Sequence, residues 1–218
     1  EGRITSVPDH YLYRLMTYYF TQICYHSLAR PSNEVAQLRW SDAVIREVRV
    51  DKKKQKMAFL LIPQDKKGRP KQSLLTGYGT IHLIRYRHFS KLFGYGKQDD
   101  YMFPDPRGNG HMIAGNIGMS FSKVLEVEGL KVDWTGRNIT MYSYARTNAI
   151  AAALKAHSLV DVSTMAGVSL QTLDRFYKEN IAMVSPEQFF ARTQAPKAIS
   201  HADDIYAADY VFDKEDWV

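Results

Sequence analysis

Between Pro8 and Leu28 the apolar residues Tyr11, Leu15, Tyr18, Tyr19 and Ile23 fall near a helical period, which predicts a helix with one inward face. Ser32-Asn33-Glu34 opens a second, short helix carrying Val35 and Leu38, with Pro31 well suited to a helix start. From Asp42 to Leu75 the pattern changes. Val44, Val48 and Val50, then Ala58-Phe59-Leu60-Leu61-Ile62, read as strands, and Lys52-Lys53-Lys54 and Lys66-Lys67-Gly68-Arg69-Pro70 read as the turns between them. Helical spacing returns from Thr80 to Phe93, with Ile81, Ile84 and Phe89 as the inward candidates. A loop rich in Asp, Pro, Gly and Asn covers Lys97 to Gly115. Further helices are predicted over Ile117–Glu128, Met141–Leu154, Leu159–Met165 and Leu170–Glu179. The expected fold class is α+β, mostly helical, with one small antiparallel three-stranded sheet.

The chain has 218 residues, enough for one substantial domain, and its 45% apolar share supports a packed core. No apolar run approaches the roughly 18 residues of a membrane span, and the first residues lack a signal-peptide pattern. The single cysteine, Cys24, has no partner for an internal disulfide and reads as a core residue. Net charge is +6, unevenly spread. From Pro186 to Val218 there are 3 basic and 7 acidic residues, so the tail carries −4 and the preceding body +10. A basic body suits a polyanionic partner. The tail also holds Phe189, Phe190, Tyr206, Tyr210, Val211 and Trp217, too apolar for a purely solvated appendage, so part of it is expected to dock.

Three segments carry the candidate chemistry. They are Arg30-Pro31-Ser32-Asn33-Glu34 leading to Leu38-Arg39-Trp40-Ser41-Asp42, then Tyr142-Ser143-Tyr144-Ala145-Arg146-Thr147, then Gly167-Val168-Ser169 followed by Tyr177. In that order they resemble the motifs of the phage-integrase or tyrosine-recombinase family, over about Val7 to Ile181, its whole catalytic domain. The first motif begins within thirty residues of the start, which leaves out the separate DNA-clamping domain such enzymes usually carry. The resemblance implies a tyrosine-recombinase-like catalytic domain over 1–185 and a C-terminal tail over 186–218 that docks in trans on a neighbouring protomer.

The resemblance also assigns roles. Arg30 would present its planar guanidinium to two phosphate oxygens as charge grows on them. Lys66, with Lys67 as runner-up, would protonate the leaving 5′ oxygen from the turn between the second and third strands. Tyr177 would be the nucleophile, forming a 3′-phosphotyrosine; its phenol needs a stabilised, in-line geometry. Two registers compete at the second motif, placing either Ala145 or Arg146 where the family has its second arginine. The interval 177 − 145 = 32 matches a common family spacing, and Thr147 then falls on the family's threonine, so Ala145 takes the position. Losing one such donor costs roughly 3–4 kcal/mol in comparable oxyanion sites, so cleavage is expected to be impaired. A natural degenerate sequence and an engineered substitution both fit. Val168 stands where the family has histidine or tryptophan and has no hydrogen bond to give to phosphate.

The DNA contacts implied are Arg30, Lys66, Lys67, Arg69 and Arg146, the last about 100° round a regular helix from Ala145. Tyr142 and Tyr144 are expected to be packing residues. The seven histidines are scattered, no metal-ligand spacing is present, and the family's chemistry needs no cofactor. The implied partners are double-stranded DNA, a homo-oligomer (a tetramer in synapsis, through a Holliday junction) and accessory DNA-bending proteins, in a cytoplasmic, DNA-associated setting without a membrane. A telomere resolvase or transposase using the same chemistry, and a catalytically inactive DNA-binding or architectural relative, are the alternatives.

Overall fold

The structure, a computed structural model, describes residues 9–50, 53–63, 70–75, 77–108 and 110–175. Helix α1 (Asp9–Ser27) is the central element, packed against α2 (Asn33–Ala36), α3 (Gly77–Leu92), α4 (Ala114–Val127) and a π-helical turn (Ser143–Asn148). That turn runs on into α5 (Ala149–Ala156), which packs on α6 (Leu159–Ala166), and residues 170–175 are again helical. Strands β1 (Ala43–Val50), β2 (Lys53–Ile62) and β3 (Lys71–Leu74) form one antiparallel sheet in the order β1-β2-β3. Its register pairs Ala43 with Leu60, and Ile62 with Lys71. The mostly helical α+β class and its three-stranded sheet are therefore as the sequence pattern predicts.

Alternation along β2 sets the sheet's inner face: Ala58, Leu60 and Ile62 are buried, while Leu61 points outward. The Ala58 amide donates to Thr80 Oγ1 at 3.1 Å, tying the sheet to α3. Gly79 permits this helix to lie close to α1, because a Cβ there would stand 2.5 Å from His26 Cβ. Helix α3 begins at Gly77, three residues before the expected Thr80.

Because α1 has neighbours on several sides, its buried surface is broader than one stripe. Leu12, Met16, Tyr19, Phe20, Ile23 and Cys24 are inside, whereas Tyr11 and Tyr18, expected on the inner face, are exposed. On α3 the large apolar residues that are buried are Leu83 and Tyr86; Ile81, Ile84 and Phe89, the sequence candidates, are half-buried. Tyr86 closes the core by donating to the Met102 carbonyl at 2.6 Å and stacking on Phe103, so the 97–115 loop is pinned by its own apolar residues. Trp40 is fully buried and donates from Nε1 to the Tyr95 carbonyl at 2.8 Å. Burial holds the Cys24 thiol far above its ordinary range, against a smaller opposing effect of the Arg146 charge.

Two apolar clusters result. The larger surrounds α1 and the sheet and includes Ala145. The smaller joins Leu28 to Ala149, Ile150, Leu154, Val162, Ala166 and Leu173. Ahead of the π turn the chain forms a short bridged loop in which Val132 pairs with Asn138. Asp133 Oδ1 accepts from the Thr135 and Arg137 amides at 2.8 and 3.0 Å, leaving Trp134 95% exposed at the tip. Among the described residues, no helix is long and apolar enough to cross a membrane.

Candidate active site

Helix α1 ends in an abrupt change of direction. Leu28 has φ 53°, the left-handed region that a leucine rarely occupies. Its side chain is nevertheless buried in the smaller cluster. The turn delivers Arg30 to a half-buried position, where Nη1 lies 3.5 Å from Glu34 Oε1. Below it, Ser32 caps α2 by accepting from the Glu34 amide at 3.3 Å, and the Ser32 amide donates to the Arg30 carbonyl at 2.8 Å. The spacing Arg30…Ser32…Glu34 thus builds a compact corner with the arginine on its rim.

The sheet is fastened to the same corner. Ser73 Oγ on β3 donates to the Ser27 carbonyl, the last residue of α1. Two positions earlier on β3, Lys71 lies against the turn after α6: a Cβ built on Gly167 would meet Lys71 Nζ at 3.6 Å. Gly167 itself has φ 62° and caps α6 in the left-handed conformation that glycine adopts without strain. Val168 follows, half-buried against the smaller cluster, with its carbonyl accepting from Ser163 Oγ at 2.7 Å.

The second motif occupies the π turn. Ala145 has no exposed surface, and its methyl belongs to the larger cluster. Arg146 is 2% exposed, its Nη1 donating to the Leu28 carbonyl and its Nη2 to the Ala166 carbonyl at 2.7 Å. Of the two expected packing tyrosines, Tyr144 packs beside Tyr25 and Phe121, with ring centroids 5.6 and 5.8 Å away, whereas Tyr142 is exposed because it faces outward at the head of the turn.

The structure therefore brings the first motif's Arg30 loop, the second motif's π turn, the third motif's Gly167–Val168 and the inner end of β3 to one junction. Lys66, Lys67, Arg69 and Tyr177 lie outside the described residues. Lys71 and Leu28 were not singled out by sequence reasoning. Lys71 sits in the basic strand-turn-strand stretch and was detectable there, whereas nothing in the residue type of Leu28 announces a left-handed backbone.

The arrangement has the fold of tyrosine-recombinase catalytic domains. The chain is similar to the crystal structure of XerA recombinase, with a TM-score of 0.54 at 11% identity over 89% of this chain and 66% of that one. It is also similar to a lambda integrase dimer bound to a COC′ core site, with a TM-score of 0.50 at 14% identity over 84% of this chain and 62% of that one. The chain thus spans slightly less than two thirds of each of these structures. No family model matches the sequence, and no curated protein matches it.

Proposed function

We propose that this chain is the catalytic domain of a DNA strand-breaking and rejoining tyrosine recombinase, acting in site-specific recombination or integration. The observation that carries this reading is the convergence of the Arg30 loop, the π turn and the Gly167–Val168 turn at one junction, within a fold shared with recombinases. Arg30 would grip the scissile phosphate, relaxing its contact with Glu34 to do so. Its planar fork suits two phosphate oxygens better than a point charge does. Lys66 would protonate the leaving 5′ oxygen, and Tyr177 would attack phosphorus and hold the 3′ end covalently until a partner strand displaces it. In this reading Lys67, Arg69 and the basic body track the DNA backbone, protomers assemble as a tetramer around a Holliday junction, and the 186–218 tail docks on a neighbour.

One observation favours a second reading. The Ala145 methyl is sealed in the core, so position 145 offers the phosphate no donor, as in a DNA-binding relative that does not cleave. The two readings separate in one experiment. Wild type, Ala145→Arg and Ala145→Arg/Tyr177→Phe are incubated with a random-sequence duplex DNA library, and DNA retained on denatured protein is measured. Adduct in Ala145→Arg, lost with Tyr177→Phe, is the expected outcome. Ala145→Arg should also lower stability, by at least about 1–3 kcal/mol for overfilling a packed site and by more to the extent that its charge stays buried. Salt-sensitive binding without adduct in any variant would establish the second reading, and binding that is flat with salt would remove both.

A further inference from the structure

Three uncommon features fall on one spot. Leu28 is the non-glycine residue with positive φ among the described residues. Ser143–Asn148 is a π turn, a form concentrated at functional sites. Arg146 is an almost fully buried guanidinium, and burying such a charge is costly unless its donors are satisfied. The three are interlocked. With Leu28 left-handed, its carbonyl accepts from Arg146 Nη1, while Nη2 reaches the Ala166 carbonyl at 2.7 Å, next to the left-handed Gly167. The π turn accommodates one more residue than an α-helical turn. Across it, Ala145 joins the larger cluster while Arg146 contacts Leu28 and Ala166 of the smaller one.

We propose that Arg146 is a positioning residue: it braces the loop carrying Arg30 against the turn carrying Gly167 and Val168, without itself touching DNA. This rests on the recombinase reading above. A planar fork can satisfy two carbonyls from separate segments at once, and a lysine ammonium on a flexible stem cannot reproduce that geometry. The Leu28 carbonyl lies two residues from Arg30, so releasing it frees the backbone that aims the guanidinium at phosphate.

The test is a double-mutant cycle on binding to random-sequence duplex DNA, using the full chain well below its unfolding temperature. Arg30→Ala should weaken wild-type binding about tenfold, within the range of one charged contact. In an Arg146→Met background the same Arg30→Ala change should weaken it less than twofold, because Arg30 is already misplaced; residues acting through one another are non-additive. Arg146→Lys should behave like Arg146→Met, and it serves as the second variant if the methionine form does not fold. Equal Arg30→Ala effects in both backgrounds would overturn the proposal, whether Arg146 is a separate DNA contact or merely a stabilising one. So would full rescue by lysine. Amide exchange supplies a DNA-free readout: protection at residues 28–32 and 166–169 should fall in Arg146→Lys while the middle of α1 stays protected. If Arg30→Ala has no effect on the wild type, the recombinase reading fails and exchange alone decides the brace, with unchanged protection refuting it.

Discussion

Gly79 shows how one missing side chain sets the distance between two helices. An alanine in a helix interior ordinarily gains about 1 kcal/mol over glycine. Here the added Cβ would sit 2.5 Å from His26 Cβ and 3.1 Å from Leu75 Cβ, neither of them the loose end of a flexible chain. Gly79→Ala is therefore expected to destabilise the protein by about 1–3 kcal/mol, as overpacking does. Equilibrium urea unfolding of the two proteins checks the sign, and a more stable variant would show that the α1–α3 contact yields easily. The same reasoning explains why Ala145 and Arg146, neighbours in sequence, differ so much in role. One fills core space, and the other bridges two backbones through a fork that no smaller residue possesses.

Across the α1–α3 interface, His26 and His82 stack with ring centroids 5.6 Å apart. Burial, then the neighbouring His82, pushes the His26 pKa down to about 4, and burial with Arg85 nearby lowers that of His82. Both groups therefore bind protons more readily in the unfolded chain. Their contribution is complete above the ordinary histidine range and is lost as pH falls toward the depressed folded value. Stability should fall as pH drops from about 7.5 to about 5, by less than full burial of the rings would give because both are partly screened by solvent, and His26→Gln should flatten that slope. Urea titrations at the two pH values read it directly; an unchanged slope in His26→Gln would assign the loss to other groups. At this scale the sequence was partly legible. The apolar run Ala58-Phe59-Leu60-Leu61-Ile62 marked a strand, but which of its residues face inward, Ala58, Leu60 and Ile62, shows only in the packed sheet, whose third strand Ser73 ties to the end of α1. The π turn was not legible, because Met141–Leu154 carries an ordinary helical pattern. What selects the wider turn is a tertiary demand, the two carbonyls that Arg146 satisfies from Leu28 and Ala166. The inward face of α1 was misjudged for a similar reason: a helix surrounded by partners does not show a single stripe.

For the whole molecule, charge is divided between a +10 body and a −4 tail beginning at Pro186. The tail's aromatic residues need a covering surface, and in the proposed assembly that surface belongs to a neighbouring protomer. Ending the chain after Ser185 should then reduce self-association, measured by sedimentation, while the unfolding temperature of the body stays within a few degrees of the intact protein's. Loss of the folded state instead would assign the tail to its own core. The three motifs identified the domain at this scale because each is anchored to an element end. Arg30 follows α1, Arg146 lies in the turn before α5, and Gly167 closes α6.

Trp134 offers an optical consequence. It stands 95% exposed on a turn held by Asp133, while Trp40 is fully enclosed beneath α3 with its indole N–H bound to the Tyr95 carbonyl. A dissolved quencher such as acrylamide reaches the first indole and not the second. Trp134 emission therefore senses whatever approaches the loop ahead of the π turn, and Trp40 emission reddens only when the interior opens. Replacing Trp217 by phenylalanine leaves these two as separable lamps, one for encounter and one for integrity.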